Sequence, residues 1–342
     1  MSAQAKAMIV GCSGTVLSAE ERAFLAQHKP WGLILFARNI GSADEIRAIT
    51  STFREIVGRE DAPVFIDQEG GRVQRIKPPL AQDYPSGAML GTVYEADAQE
   101  GLRAAHDMSR LHACDLLPLG INADCLPVLD IPIAGSHDVI GNRAYGDAVE
   151  IVARMGRAAA DGLLAGSVLP VMKHVPGHGR ATVDSHKALP VVDTPAETLE
   201  KIDFEPFRLH ADLPMAMTAH VVYTAYDADN PATTSSTVID RVIRGHIGFD
   251  GLLMTDDLSM HALSGDFAAR TEASFAAGCD VVLHCNGVMD EMVPVAEATG
   301  WLDGKALDRA EAATNLLRST PTDGDEIAVV RERFNRLVSA TA

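Results

Sequence analysis

Eight short apolar runs, each followed by an amphipathic stretch, set the strongest limit on how this 342-residue chain can fold. The runs are Ala7–Cys12, Gly32–Phe36, Pro63–Asp67 and Ile121–Leu129, then Leu169–His174, Met215–Val221, Gly251–Thr255 and Asp280–His284. All are apolar and several are rich in β-branched residues, the pattern of parallel strands buried on both faces. The stretches between them, about 19–28, 43–58, 94–117, 148–166, 196–211, 238–247, 266–277 and 288–298, carry a helical period. Ser18 with Glu21 and Ser42 with Glu45 read as capping boxes, and Thr194-Pro195-Ala196-Glu197 puts a proline at a first helical position. A strand-then-helix unit repeated eight times predicts a (β/α)8 TIM barrel rather than an open doubly wound sheet. The expected organisation is one domain over residues 1–342, with the barrel at about 7–300 and extra C-terminal helices at about 304–340 packed outside it.

Bulk properties remove several classes of partner. Lys and Arg number 29 against 47 Asp and Glu, a net charge of −18, whereas nucleic-acid binding calls for a basic face. No apolar run approaches the length of a membrane span, and the first residues lack a signal-peptide core, so a cytoplasmic protein away from membranes is expected. Cys12, Cys114, Cys125, Cys279 and Cys285 form no CxxC pair and read as reduced core thiols. No GxGxxG motif runs from a strand into a helix, and Gly11-Cys12-Ser13-Gly14 is too poor for a phosphate loop; no cofactor is expected.

Ionisable residues gather after the runs. Asp67, Glu69, Arg72 and Arg75 follow the third; Asp130 and, after a long loop, Arg143 follow the fourth; His220 ends the sixth, Asp256-Asp257 the seventh and His284 the eighth. The densest group leaves the fifth run: Lys173, His174, His178, Asp184 and His186, with Gly177 and Gly179 loosening the loop. In a barrel these would converge on the carboxyl-terminal face. Asp184 and His186 stand at i, i+2, so in extended backbone both project to one side, and a carboxylate beside an imidazole favours the protonated ring of a general acid/base. His174 and His178 are four apart, but Pro176, Gly177 and Gly179 break the helix that a zinc-binding HxxxH requires, so no metal is expected.

A carboxylate-lined pocket with a mobile acid/base suits chemistry at a sugar's anomeric carbon. Asp256 is the nucleophile candidate. Neighbouring strand residues face opposite ways, so only one of Asp256 and Asp257 can address the pocket, and spacing alone does not choose; a helix-capping carboxylate is the expected role of Asp257.

Several segments together resemble the single-domain bacterial β-N-acetylglucosaminidases of glycoside hydrolase family 3. They are Gly32 to Phe36 with Arg38-Asn39, Asp67 to Arg75, Pro127 to Asp130, Val139 to Arg143, Lys173-His174-Val175-Pro176-Gly177-His178-Gly179, Asp184-Ser185-His186, Met217 to His220 and Gly248 to Met260. They run in family order over nearly the whole chain. Val175, Cys125, Asn142 and Ala144 stand where relatives usually carry other residues, which bears on pocket shape. The resemblance implies a retaining exo-glycosidase that removes non-reducing terminal N-acetylglucosamine from β-1,4-linked muropeptide fragments through a glycosyl-aspartate on Asp256. It implies His186 as acid/base with Asp184 as its partner, and Asp67, Arg75, Arg143, Lys173 and His174 as the groups that hold the terminal sugar. The partner expected is a small carbohydrate, and the state a monomer. Competing readings are a β-N-acetylglucosaminide phosphorylase, a broader hexosaminidase on chito-oligosaccharides, and a catalytically silent sugar-binding barrel.

Overall fold

Hydrogen bonding closes the chain on itself. In the computed structural model, which describes residues 4–185, 187–318 and 326–341, eight parallel strands form a closed barrel in chain order. These are β1 (Lys6–Val10), β2 (Pro30–Leu35), β3 (Val64–Ile66), β4 (Ala123–Asp124), β5 (Leu169–Val175), β6 (Met215–Thr218), β7 (Leu252–Asp257) and β8 (Val281–His284). β8 returns to β1, with Met8, Ile9 and Val10 opposite Val282, Leu283 and His284. The eight expected runs are thus the eight barrel strands.

Side chains sort by the two-residue period of a strand. Ile9, Ile34, Phe65, Ala123, Leu169, Val171, Met215, Met217, Leu252, Met254, Val281 and Leu283 form one buried cluster drawn from every strand, which fills the barrel. Their neighbours Met8, Val10, Leu33, Leu35, Val64, Ile66 and Val282 pack outward against the helices, as do Met172, Ala216 and Leu253. Burial on both faces explains why these runs are continuously apolar.

Four local expectations differ from the structure. The fourth run was expected over Ile121–Leu129, but regular pairing is confined to Ala123–Asp124, with an isolated bridge from Val128 to Lys173. Pro127, which has no N–H to donate, lies between them. The helix expected over about 94–117 is two helices, Gly87–Ala96 and Ala98–Leu116, divided at Asp97, whose carboxylate caps the second through Gln99 and Glu100. The stretch expected helical over about 196–211 is a short helix, a π-helical turn Leu199–Asp203 and a further short helix Glu205–Arg208, and Val238–His246 is also π-helical. Pro195 occupies the cap position, one residue before the helix, rather than its first turn.

Both serine capping boxes form as expected. All five cysteines are free, and four of them are buried. Outside the barrel, Ile327–Thr341 packs on Ala98–Leu116, where Arg333 reaches both oxygens of Asp107 at 2.6 and 2.7 Å. No helix among the described residues is long and apolar enough to cross a membrane.

Candidate active site

The inward positions of the strands run on past the apolar core into a cavity of about 550 Å³ at the carboxyl-terminal end of the barrel. Parity carries Phe65 to Asp67, Val171 to Lys173 and Leu283 to Cys285, each of which lines the cavity, and β7 reaches it with Asp256 and Asp257. Loops add Arg72, Arg75, Asp138, Arg143 and Asp184, and His174 joins them. Asp67, Arg75, Arg143, Lys173, His174, Asp184 and Asp256 therefore share one cavity. His186 lies outside the described residues.

Charged side chains beside an apolar core need partners, because removing an ion from water costs several kcal/mol. Here they form a ladder. Arg75 Nη2 meets Asp67 Oδ2 at 2.8 Å, and Asp67 Oδ1 accepts from Lys173 Nζ at 2.9 Å. Lys173 Nζ also lies 2.6 Å from Glu69 Oε1, and Glu69 takes Arg143 in a fork, Nε to Oε2 at 2.8 Å and Nη2 to Oε1 at 2.7 Å. Burial alone would raise the Asp67 carboxyl, but Lys173 and Arg75 outweigh it and hold it well below the usual carboxylate range. Glu69 is set at about 2 in the same way: burial opposes, Arg143 and Lys173 prevail. Burial likewise pulls Lys173 down, yet Asp67 and Glu69 keep it above its ordinary value. Three cations against two carboxylates leave the ladder with a surplus positive charge.

Glu69 and Asp130 stand in the sequence among the ionisable residues that follow the strands, with no role assigned to either. Glu69 was legible in principle, since Asp67 and Glu69 stand at i, i+2. Gln68, which faces the other way, uses its side-chain oxygen to accept from the amides of Arg75 and Ile76 at 3.1 and 3.0 Å, fixing the turn that brings Arg75 back. Asp130 had no local signal for its role. It accepts from the His178 amide at 2.6 Å and the His174 amide at 3.3 Å, and lies 2.7 Å from His174 Nδ1. Burial opposes its ionisation, but His174 holds it at about 2.

The loop after β5 is tied down as far as it is described. Tyr223 donates to the Gly177 carbonyl at 2.6 Å, and Arg180 pairs with Asp203 at 2.7 Å. Gly177 sits at φ +142°, and a Cβ on Gly179 would lie 1.8 Å from the Ile131 carbonyl oxygen, so both glycines are required. Burial, with the neighbouring His174, lowers His178 to about 4, and its Nε2 meets Ser185 Oγ at 3.1 Å. The Asp184 carbonyl accepts from the amides of Lys187 and Ala188 at 2.9 and 3.0 Å. Asp184 lines the cavity.

Asp256 and Asp257 differ in the partners of their carboxylates. Asp257 spends its carboxylate on the Ser259 amide (3.0 Å), the Ser259 hydroxyl (2.6 Å) and the Cys285 amide (3.0 Å). It caps a turn rather than a helix, since the next helix begins at Phe267. Both residues line the cavity, contrary to the expectation that only one would address it, because the pairing of β7 with β8 is irregular between Met254 and Asp257; Asp256 Oδ1 accepts from the Asp257 amide at 2.8 Å.

Among the described residues no cluster of three or more His, Cys, Asp or Glu is set to hold a metal ion. Paired ions, with the further carboxylates of Asp138, Asp184, Asp256 and Asp257 at the wall of one cavity, suit a neutral polyhydroxyl ligand at the carboxyl end of a TIM barrel. Residues 5–314 match the glycosyl hydrolase family 3 N-terminal domain, and the chain belongs to that family of glycoside hydrolases. A beta-hexosaminidase of Alkalilimnicola ehrlichii is 39% identical over 82% of this chain and 80% of its own length. One from Aromatoleum aromaticum is 34% identical over 94% and 90%. The structure of NagZ from Neisseria gonorrhoeae in complex with N-trifluoroacetyl-D-glucosamine superposes with a TM-score of 0.86 at 28% identity, covering 99% of each chain.

Proposed function

We propose that this enzyme is a retaining exo-β-N-acetylglucosaminidase acting on β-1,4-linked muropeptide fragments. The observation that carries the reading is the sharing of one cavity by Asp256, Asp184, Asp67, Lys173 and Arg143, the last two tied together through Glu69. Relatives named beta-hexosaminidase, and one solved with an N-acylated glucosamine, support the sugar. Exo action fits a cavity whose inner end is closed by Ile34, Met217 and Leu283, because a packed barrel admits a chain end but not a passing polymer.

In this mechanism an Asp256 oxygen attacks the anomeric carbon as the glycosidic bond breaks, and His186 delivers a proton to the departing oxygen. The resulting ester between Asp256 and the sugar is hydrolysed by water, whose proton returns to His186 while Asp256 leaves as a carboxylate. Asp184 supports the protonated imidazole. The ladder, with His174, donates to and accepts from the hydroxyls and the acetamido group. Buried charged groups of this kind reject sugars that leave them unpaired.

A 2-fluoro N-acetylglucosamine-type sugar with a good leaving group should label Asp256, and Asp256→Ala should abolish turnover with an unchanged melting temperature. Label on Asp257, or turnover retained by Asp256→Ala, would refute the assignment. Release of sugar 1-phosphate in phosphate buffer would replace hydrolysis by phosphorolysis, and faster turnover of chitobiose than of an anhydromuropeptide would move the substrate to chito-oligosaccharides.

A further inference from the structure

His220 lies just past the end of β6, fully buried, and takes no part in the ladder or the loop after β5. Its Nε2 meets the main-chain carbonyl oxygen of Asp257 at 3.0 Å, and its Nδ1 meets Thr233 Oγ1 at 2.7 Å. A carbonyl only accepts, so Nε2 carries the hydrogen. Burial lowers the pKa of the ring despite the opposing charges of Asp256 and Asp257, which leaves Nδ1 as an acceptor. Thr233 must then donate to it, and Thr233 Oγ1 in turn lies 2.7 Å from Thr218 Oγ1. The single hydroxyl hydrogen of Thr233 goes to this nitrogen rather than to the Ala219 carbonyl at 3.2 Å. The result is a one-way chain of donors, Thr218 to Thr233 to His220 to the Asp257 carbonyl, crossing from β6 to the end of β7.

We infer that His220 is a positioning residue for the proposed nucleophile, acting through the backbone of Asp257. The Asp257 carbonyl also accepts from the Met260 amide at 3.1 Å, and the Asp257 side chain is held by Ser259 and Cys285. Residue 257 is thereby gripped from both neighbouring strands. Its amide is the donor to Asp256 Oδ1 at 2.8 Å, so the grip sets the direction in which that carboxylate points. This inference rests on Asp256 as the nucleophile.

The experiment compares wild type with His220→Phe, which keeps the ring but removes both polar contacts, with His220→Gln, which restores a donor, and with Thr233→Val, which frees Nδ1. Two quantities are read: the rate constant for labelling of Asp256 by the 2-fluoro sugar, and the inhibition constant of N-acetylglucosamine. His220→Phe should lower the labelling rate by about 10- to 100-fold, the scale set by a misdirected reacting group. Product binding, which rests on the ladder, should change less than about threefold, and His220→Gln should recover most of the rate. Thr233→Val should fall between, and together with His220→Gln it carries the test if His220→Phe does not fold. Wild-type labelling rates in these variants, or equal losses in rate and in product binding, would overturn the inference while leaving Asp256 in place. Wild-type label on another residue would overturn the nucleophile assignment and this inference with it.

Discussion

Replacing Glu69 by Gln tests whether the ladder sustains both the fold and the sugar site. The substitution keeps the shape but removes the charge that binds Arg143 in a fork and pairs with Lys173. A carboxyl held at about 2 instead of its ordinary 4.5 contributes about 3 kcal/mol at neutral pH, at 1.36 kcal/mol per unit. Removing one partner of a buried pair costs about 3–5 kcal/mol on general grounds, in agreement. Over 342 residues the unfolding entropy is about 0.7 kcal/mol/K, so Glu69→Gln should lower Tm by about 4–7 °C. The sign with pH follows from a depressed folded pKa: the contribution is fully present above about 4.5 and is lost as pH falls through about 2. Denaturant melts of wild type and variant should therefore run parallel from pH 8 to 5 and converge in acid. Because Arg143 and Lys173 lose their common anchor, KM for a nitrophenyl N-acetylglucosaminide should also rise at least tenfold. A Tm shift under about 1 °C at pH 7 with unchanged KM would refute the ladder as a working unit.

His186→Ala should give a burst of nitrophenol on an activated glycoside, since the leaving group departs unaided while hydrolysis of the ester still needs a base; on natural substrates the loss should be about 10²- to 10⁴-fold, and equal losses on both would move the proton carrier elsewhere. Gly179→Ala places a Cβ 1.8 Å from the Ile131 carbonyl oxygen, and should cost about 1–3 kcal/mol in denaturant melts and depress kcat by shifting the loop after β5. Chelator treatment should leave turnover unchanged, because His174 is engaged by Asp130 and His178 by Ser185; a loss reversed by zinc would restore the metal reading of the two histidines.

Some of this was written locally and some was not. The strand-helix alternation follows from burial on two faces and from capping chemistry, both of which act within a few residues, so the barrel could be read from the chain. Local pattern was overridden in places: at Pro127 the strand pattern outran the hydrogen bonding, and at Asp97 a cap divided one helical period into two helices. The site divides along the same line. Asp67, Lys173 and Asp256 are visible as polar residues at the ends of apolar runs. Their partnership is not, because Lys173 meets Asp67 across 106 residues and Arg143 meets Glu69 across 74. The choice between Asp256 and Asp257 is also tertiary. Period-two alternation would turn them to opposite faces, yet an irregularity between Met254 and Asp257 brings both to the cavity, and it is Ser259 and Cys285 that occupy the Asp257 carboxylate. Local patterning specifies the eight units and the kinds of charge at their ends; closure of the barrel sets which of those charges meet, because it brings together residues far apart in the chain.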